Sequence, residues 1–109
     1  MVPADPVRFA AAARRLADEA RRRGLAVPGF RSPPRLPGVH RSIRRRPDGA
    51  AVVAVKVHGR SLEAVVTDMV EGVLAANRSV PHATVVGDGS ELRRALLAAV
   101  LGEEEASAA

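Results

Sequence analysis

The sequence predicts an α+β fold in the order α-β-β-α-(β)-α, a small antiparallel hairpin or three-stranded sheet covered on one face by helices. Three observations carry this. Two stretches repeat apolar residues at the helical period, around residues 6–23 and 62–76. Between them, residues 50–58 alternate apolar and polar side chains at the period of a strand. The chain has 109 residues, 47% of them hydrophobic, enough for one core and too few for two domains.

The first helix starts at Asp5-Pro6, where Asp5 caps free amides and Pro6 suits the first helical position. Phe9, Ala13, Leu16 and Ala20 form its apolar face, and Gly24 ends it. The opposite face offers pairs four residues apart: Arg14–Asp18, Asp18–Arg22 and Glu19–Arg23. A solvated, self-paired surface is the stronger reading of that face, with a nucleic-acid contact as the alternative.

Residues 28–38 hold four of the eight prolines and read as extended or turning chain that packs Phe30 against the core. Arg31, Pro34 and Pro37 also match the spacing of a polyproline ligand, a short pattern that matches by chance. Residues 39–46 and 50–58 form a hairpin around Pro47-Asp48-Gly49. Alternation puts Val53, Val55 and Val57 inside. Val39, Ile43, Arg41 and Arg45 share one face of the first strand, and His40, Ser42, Arg44 and Arg46 the other, so that Arg44, Arg46, Lys56, His40 and His58 gather outside.

Ser61 caps the second helix, whose stripe of Leu62, Val65, Val66, Met69, Val70, Val73 and Leu74 is wide enough for core and for a homodimer seam through 62–76. Asn77 terminates it. Residues 83–86 supply a short third strand, Gly87-Asp88-Gly89 turns the chain, and Ser90 caps a last helix with Leu92, Ala95, Leu96, Ala99 and Val100 inward. Gly102 ends that helix, which makes residues 1–102 the domain and 103–109 an acidic, disordered tail.

Composition narrows the chemistry. With no cysteine, disulfides, thiol nucleophiles, zinc knuckles and iron–sulfur sites are excluded. The N-terminal residues lack a signal-peptide pattern, and the apolar run at 62–76 is too short and too charged for a membrane span, so a cytoplasmic protein is expected. His40, His58 and His82 show no metal-ligand spacing. Ser61, His58 and Asp68 contain the residue types of a serine triad but no nucleophile elbow, and Ser61 is better explained as a cap. Glu63, Asp68 and Glu71 provide the carboxylates that magnesium or acid–base chemistry needs, yet an amphipathic helix requires such a polar stripe anyway. Gly87-Asp88-Gly89-Ser90 precedes a helix but lacks the lysine of a phosphate loop. No enzyme activity and no cofactor are expected.

Charge is the signal left over. Residues 1–60 carry 14 Arg and Lys against 4 carboxylates, whereas residues 61–109 carry 3 against 8. Arg41, Arg44, Arg45, Arg46, Lys56 and Arg60 lie within twenty residues, with Arg31 and Arg35 just before them. So many like charges call for an acidic counterpart. Nucleic-acid phosphates gripped by the hairpin are the leading expectation. An acidic protein partner is the competing one, and self-pairing with Asp68, Glu71 or residues 103–105 is the bland alternative.

Overall fold

A computed structural model describes residues 2–33, 40–78 and 89–108, with the side chains of 103–108 left aside. The expected third strand at 83–86 lies outside the described residues. The order is α1 (Pro6–Arg22), β1 (Gly29–Arg31), β2 (Arg41–Arg45), β3 (Ala51–Val55), α2 (Leu62–Arg78) and α3 (Ser90–Ala108). The fold is α+β, three helices packed on a three-stranded mixed sheet of order β1-β3-β2.

Local chemistry sets the ends of α1. Asp5 accepts a hydrogen bond from the Arg8 amide at 2.8 Å, with Pro6 in the first turn. At the other end the Gly24 amide donates to the Arg21 carbonyl and the Leu25 amide to the Ala20 carbonyl. This pair of bonds is a Schellman motif, and it needs Gly24 at φ +72°. Leu25 then tucks into the core.

The hairpin is built as its turn residues demand. Gly49, at φ +87°, donates to the Arg46 carbonyl, and the Arg46 amide donates to Ala50. β2 pairs antiparallel with β3 in the register Arg41↔Val55, Ile43↔Val53, Arg45↔Ala51. Val53, Val55 and Val57 are buried, as the alternation requires. Lys56 is half-buried rather than fully exposed.

A strand stands where the proline-rich segment was expected to be a plain connector. Gly29–Arg31 pairs parallel to β3, with Phe30 beside Val53 and Arg31 beside Ala54. Phe30 packs against the core, as expected of it. Three residues are too few to display a period; tertiary contact selects this strand.

α2 lies across β2 and β3 on the inner face, and α1 and α3 pack against it. Gly72 permits the close approach: a Cβ there would stand 2.6 Å from Val53 Cγ1. Leu62, Val65, Val66, Met69, Val70, Val73 and Leu74 are all buried within the chain's own core. That stripe leaves nothing for a seam between copies. Among the described residues the large apolar side chain left exposed is Val7, on α1.

Three other expectations change. Asn77 does not stop α2, which runs on to Arg78; its side chain is 1% exposed and grips the backbone of Ala26. α3 continues through Gly102, because glycine weakens a helix by about 1 kcal/mol without breaking it. On α1, Glu19–Arg23 pairs as expected, at 2.6 Å, but Asp18 takes Arg21 and Glu19 also takes Arg22, three residues away in each case. Residues at both i+3 and i+4 lie on one helix face, so spacing by itself does not choose between them. A further pairing was not foreseen: residues 2–4 run antiparallel to 60–62, the Ala4 amide donating to the Arg60 carbonyl and the Leu62 amide to Val2.

Candidate functional site

The six cations singled out in the sequence do not share one surface. The pleat divides them. Arg41 and Arg45 stand on the α2 side of β2, in register with the buried Val55 and with Ala51. Arg45 reaches the end of α2, where its Nη2 donates to the Ala76 carbonyl at 2.9 Å. A cation on the last carbonyls of a helix meets the negative end of its dipole. Arg45 therefore has a structural task.

Arg60 has one as well. It sits between β3 and α2, its side chain 16% exposed, and pairs with Asp68 at 2.6 Å. Its guanidinium also donates to the Lys56 carbonyl at 2.7 Å. Asp68 is thus spent on tying the β3–α2 connection. Glu71 is likewise paired, with Arg93 of α3. Two of the three α2 carboxylates that could have served acid–base chemistry, Asp68 and Glu71, are structural ion pairs, and Glu63 is exposed. Ser61 Oγ accepts from the Ala64 amide at 3.2 Å, which makes it the helix cap the sequence suggested. Among the described residues no group of three or more His, Asp or Glu could hold a metal ion.

Arg44, Arg46 and Lys56 remain, on the other side of the sheet. Register places Arg44 beside Val52 and Ser42 beside Ala54. β1 adds Gly29 beside Val52 and Arg31 beside Ala54 on this same face. The Lys56 amide donates to the His40 carbonyl, which continues the ladder one row further, and Arg46 stands at the hairpin end. Arg31, His40, Arg44 and Arg46 are exposed; Ser42, Val52, Ala54 and Lys56 are half-buried. None of the three described strands contains a carboxylate. Asp48, in the turn, is the nearby acid: it accepts from the Ala50 amide at 3.0 Å and lies 3.9 Å from Arg46.

The outer face is therefore a flat strip. Val52 and Ala54 occupy its middle, with Lys56 one row beyond them on the line of β3, and further cations stand on the edges, Arg44 and Arg46 toward β2 and Arg31 on β1. Arg31, Arg44 and Lys56 make no ion pair among the described residues. The sequence offers Arg31 only as part of a chance polyproline spacing and as a neighbour of the basic run. The signal that would have promoted it, a parallel pairing of Gly29–Arg31 with β3, is not local. α1 packs with α2 and α3 on the opposite side of the sheet, so its arginines are not continuous with this strip.

A shallow cleft of about 370 Å³ lies beside the sheet, lined by Asp5, Ser32, Val57 and His58 among others. The Asp5 carboxylate there already accepts from the Arg8 amide and pairs with the Arg8 guanidinium at 2.8 Å. No helix among the described residues is long and apolar enough to cross a membrane. No protein-family model, no curated protein and no solved structure matches the chain.

Proposed function

We propose that this chain is a small, non-enzymatic accessory protein of the cytoplasm that binds nucleic-acid phosphates through the outer face of its sheet. One observation supports it above the others. The fold ties Arg45, though exposed, to the Ala76 carbonyl and Arg60 to Asp68, and leaves Arg31, Arg44, Arg46 and Lys56 together on a face whose described strands contain no acid. Cations outnumbering a single turn carboxylate, Asp48, on this described face suit a polyanion. Such contacts position a ligand and do not read its sequence.

The test is fluorescence anisotropy of labelled nucleic acid across a salt series. Four phosphate contacts give a log–log slope of about −4 on duplex DNA. Replacing Arg44 and Arg46 together by Ala should weaken binding alike for all sequences and flatten the slope by roughly 2. Both side chains are exposed, so the fold should survive. Absence of binding at low salt would end this reading and favour an acidic protein partner for the same face.

A further inference from the structure

Resting on that reading, we infer that the ligand is a duplex, and that the sheet lies across a groove with Arg31 on the phosphates of one strand and Arg44 and Arg46 on those of the other.

Spacing is the first reason. β1 and β2 are the two outer strands, with β3 between them. Neighbouring strands are about 4.8 Å apart, so the rows of Arg31 and of Arg44 are separated by about 10 Å across the sheet. Register sets them one row apart along the strands, since Arg31 stands beside Ala54 and Arg44 beside Val52. That adds about 7 Å lengthwise and gives a baseline of about 12 Å. The major groove of B-DNA is about 12 Å wide. A single strand offers one row of phosphates, and the two edges of this face cannot both be served by it without wrapping.

Relief is the second reason. Val52 and Ala54, on the central strand, and Gly29 and Ser42, on the edge strands beside them, are all short, and Lys56 stands one row beyond them along β3. Between Arg31 and Arg44 no bulky side chain holds the sheet away from two phosphate rows.

The third reason concerns what single strands need. Sequence-tolerant binding of unpaired bases uses aromatic side chains as stacking platforms. This chain has no Tyr and no Trp, and both of its Phe residues belong to the core side. Phe9 is buried on α1, and Phe30 packs inward beside Val53. Apart from the His40 imidazole at one end, the described outer face offers charge and no aromatic stacking surface, so it favours paired nucleic acid.

The experiment compares a short labelled DNA duplex, the RNA duplex of the same length, one of the component strands alone, and polyglutamate. At about 0.05 M salt each phosphate contact is worth on the order of tenfold in affinity. Wild type should bind one or both duplexes at least about tenfold more tightly than the single strand. Arg31→Ala and Arg44→Ala should each cost the duplex about tenfold and about one unit of salt slope. The two together should abolish the preference for duplex. Circular dichroism melting checks that each variant stays folded. Equal or tighter binding of the single strand overturns the inference while keeping the phosphate reading. So does a duplex affinity that Arg31→Ala leaves unchanged while Arg44→Ala lowers it. Binding of polyglutamate with none of any nucleic acid overturns both.

Discussion

The carboxamide of Asn77 clasps the backbone of Ala26 from both sides. Its Oδ1 accepts from the Ala26 amide at 2.9 Å, and its Nδ2 donates to the Ala26 carbonyl at 2.9 Å and to the Val73 carbonyl at 2.8 Å. The side chain thus acts as a piece of strand, satisfying chain that passes from α1 toward β1. Through Ala26 it holds the approach to Gly29–Arg31, and with it the placement of Arg31 on the outer face.

Asn77→Leu removes all three bonds and leaves the Ala26 groups facing a side chain that cannot pair with them. Ala26 is itself exposed, so water takes up part of what its amide and carbonyl lose. A hydrogen bond is worth about 0.5–1.5 kcal/mol net, and urea unfolding should show a loss of about 1–3 kcal/mol. Asn77→Asp should be destabilising too, because a carboxylate can accept from the Ala26 amide but repels both carbonyls. An unchanged midpoint for both variants would show that the clasp carries no stability.

Gly72→Ala tests the approach of α2 to the sheet. In an open helix the change stabilises by about 1 kcal/mol. Here the new Cβ meets Val53 Cγ1 at 2.6 Å and Cγ2 at 2.9 Å. Overpacking of this kind costs about 1–3 kcal/mol, so the net effect should be a loss. Adding Val53→Ala removes the clashing methyls, and the double mutant should lose less than the two single changes predict together. Strict additivity in thermal melts would mean that the two residues do not meet.

Arg60 and Arg44 should separate cleanly by their stability effects. Arg60→Ala strands Asp68 in a setting where it is 21% exposed and frees the Lys56 carbonyl. A loss of about 1–3 kcal/mol is expected, less than for a fully buried pair because solvent still screens the site. Arg44→Ala should stay within about 0.5 kcal/mol of wild type, as exposed substitutions do. The reverse ranking in denaturant melts would mean that the division of cations into structural and outward-facing is wrong.

Acid should weaken the fold through two carboxylates, Glu19 on α1 and its cap Asp5. The hydrogen bond from Arg23 is the main cause that holds Glu19 below its ordinary 4.5, aided by the charges of Arg22 and Arg23 and opposed by burial. The Arg8 amide does the same for Asp5, whose ordinary value is 3.8. Both values are depressed in the folded state. Their stabilisation is therefore fully present above the unfolded values and fades as pH falls from about 4.5 through the folded ones. Glu19→Gln should flatten that decline in a pH series of thermal melts and leave stability near pH 7 lower. A decline as steep as wild type's would assign the acid sensitivity elsewhere.

What the sequence by itself determined is whatever has a local cause. Asp5, Pro6 and Gly24 bound α1, Ser61 caps α2, and Pro47-Asp48-Gly49 bends the hairpin, because caps and turns are set by the few residues that form them. The alternation of Val53 and Val55 settled which side of β3 is buried, since a strand's period leaves no other choice. The tertiary structure decided the rest. A three-residue strand has no period to read, so β1 became visible only as a partner of β3. A buried Asn looks like a helix stop until its partners on Ala26, about fifty positions away, are in place. The arginines were alike in sequence, all charged and clustered. Packing divided them, sending Arg45 to the end of α2 and Arg60 to Asp68 while leaving Arg31, Arg44 and Arg46 facing outward. A guanidinium's task depends on which carbonyl or carboxylate the fold brings within about 3 Å of it, and that is a long-range property.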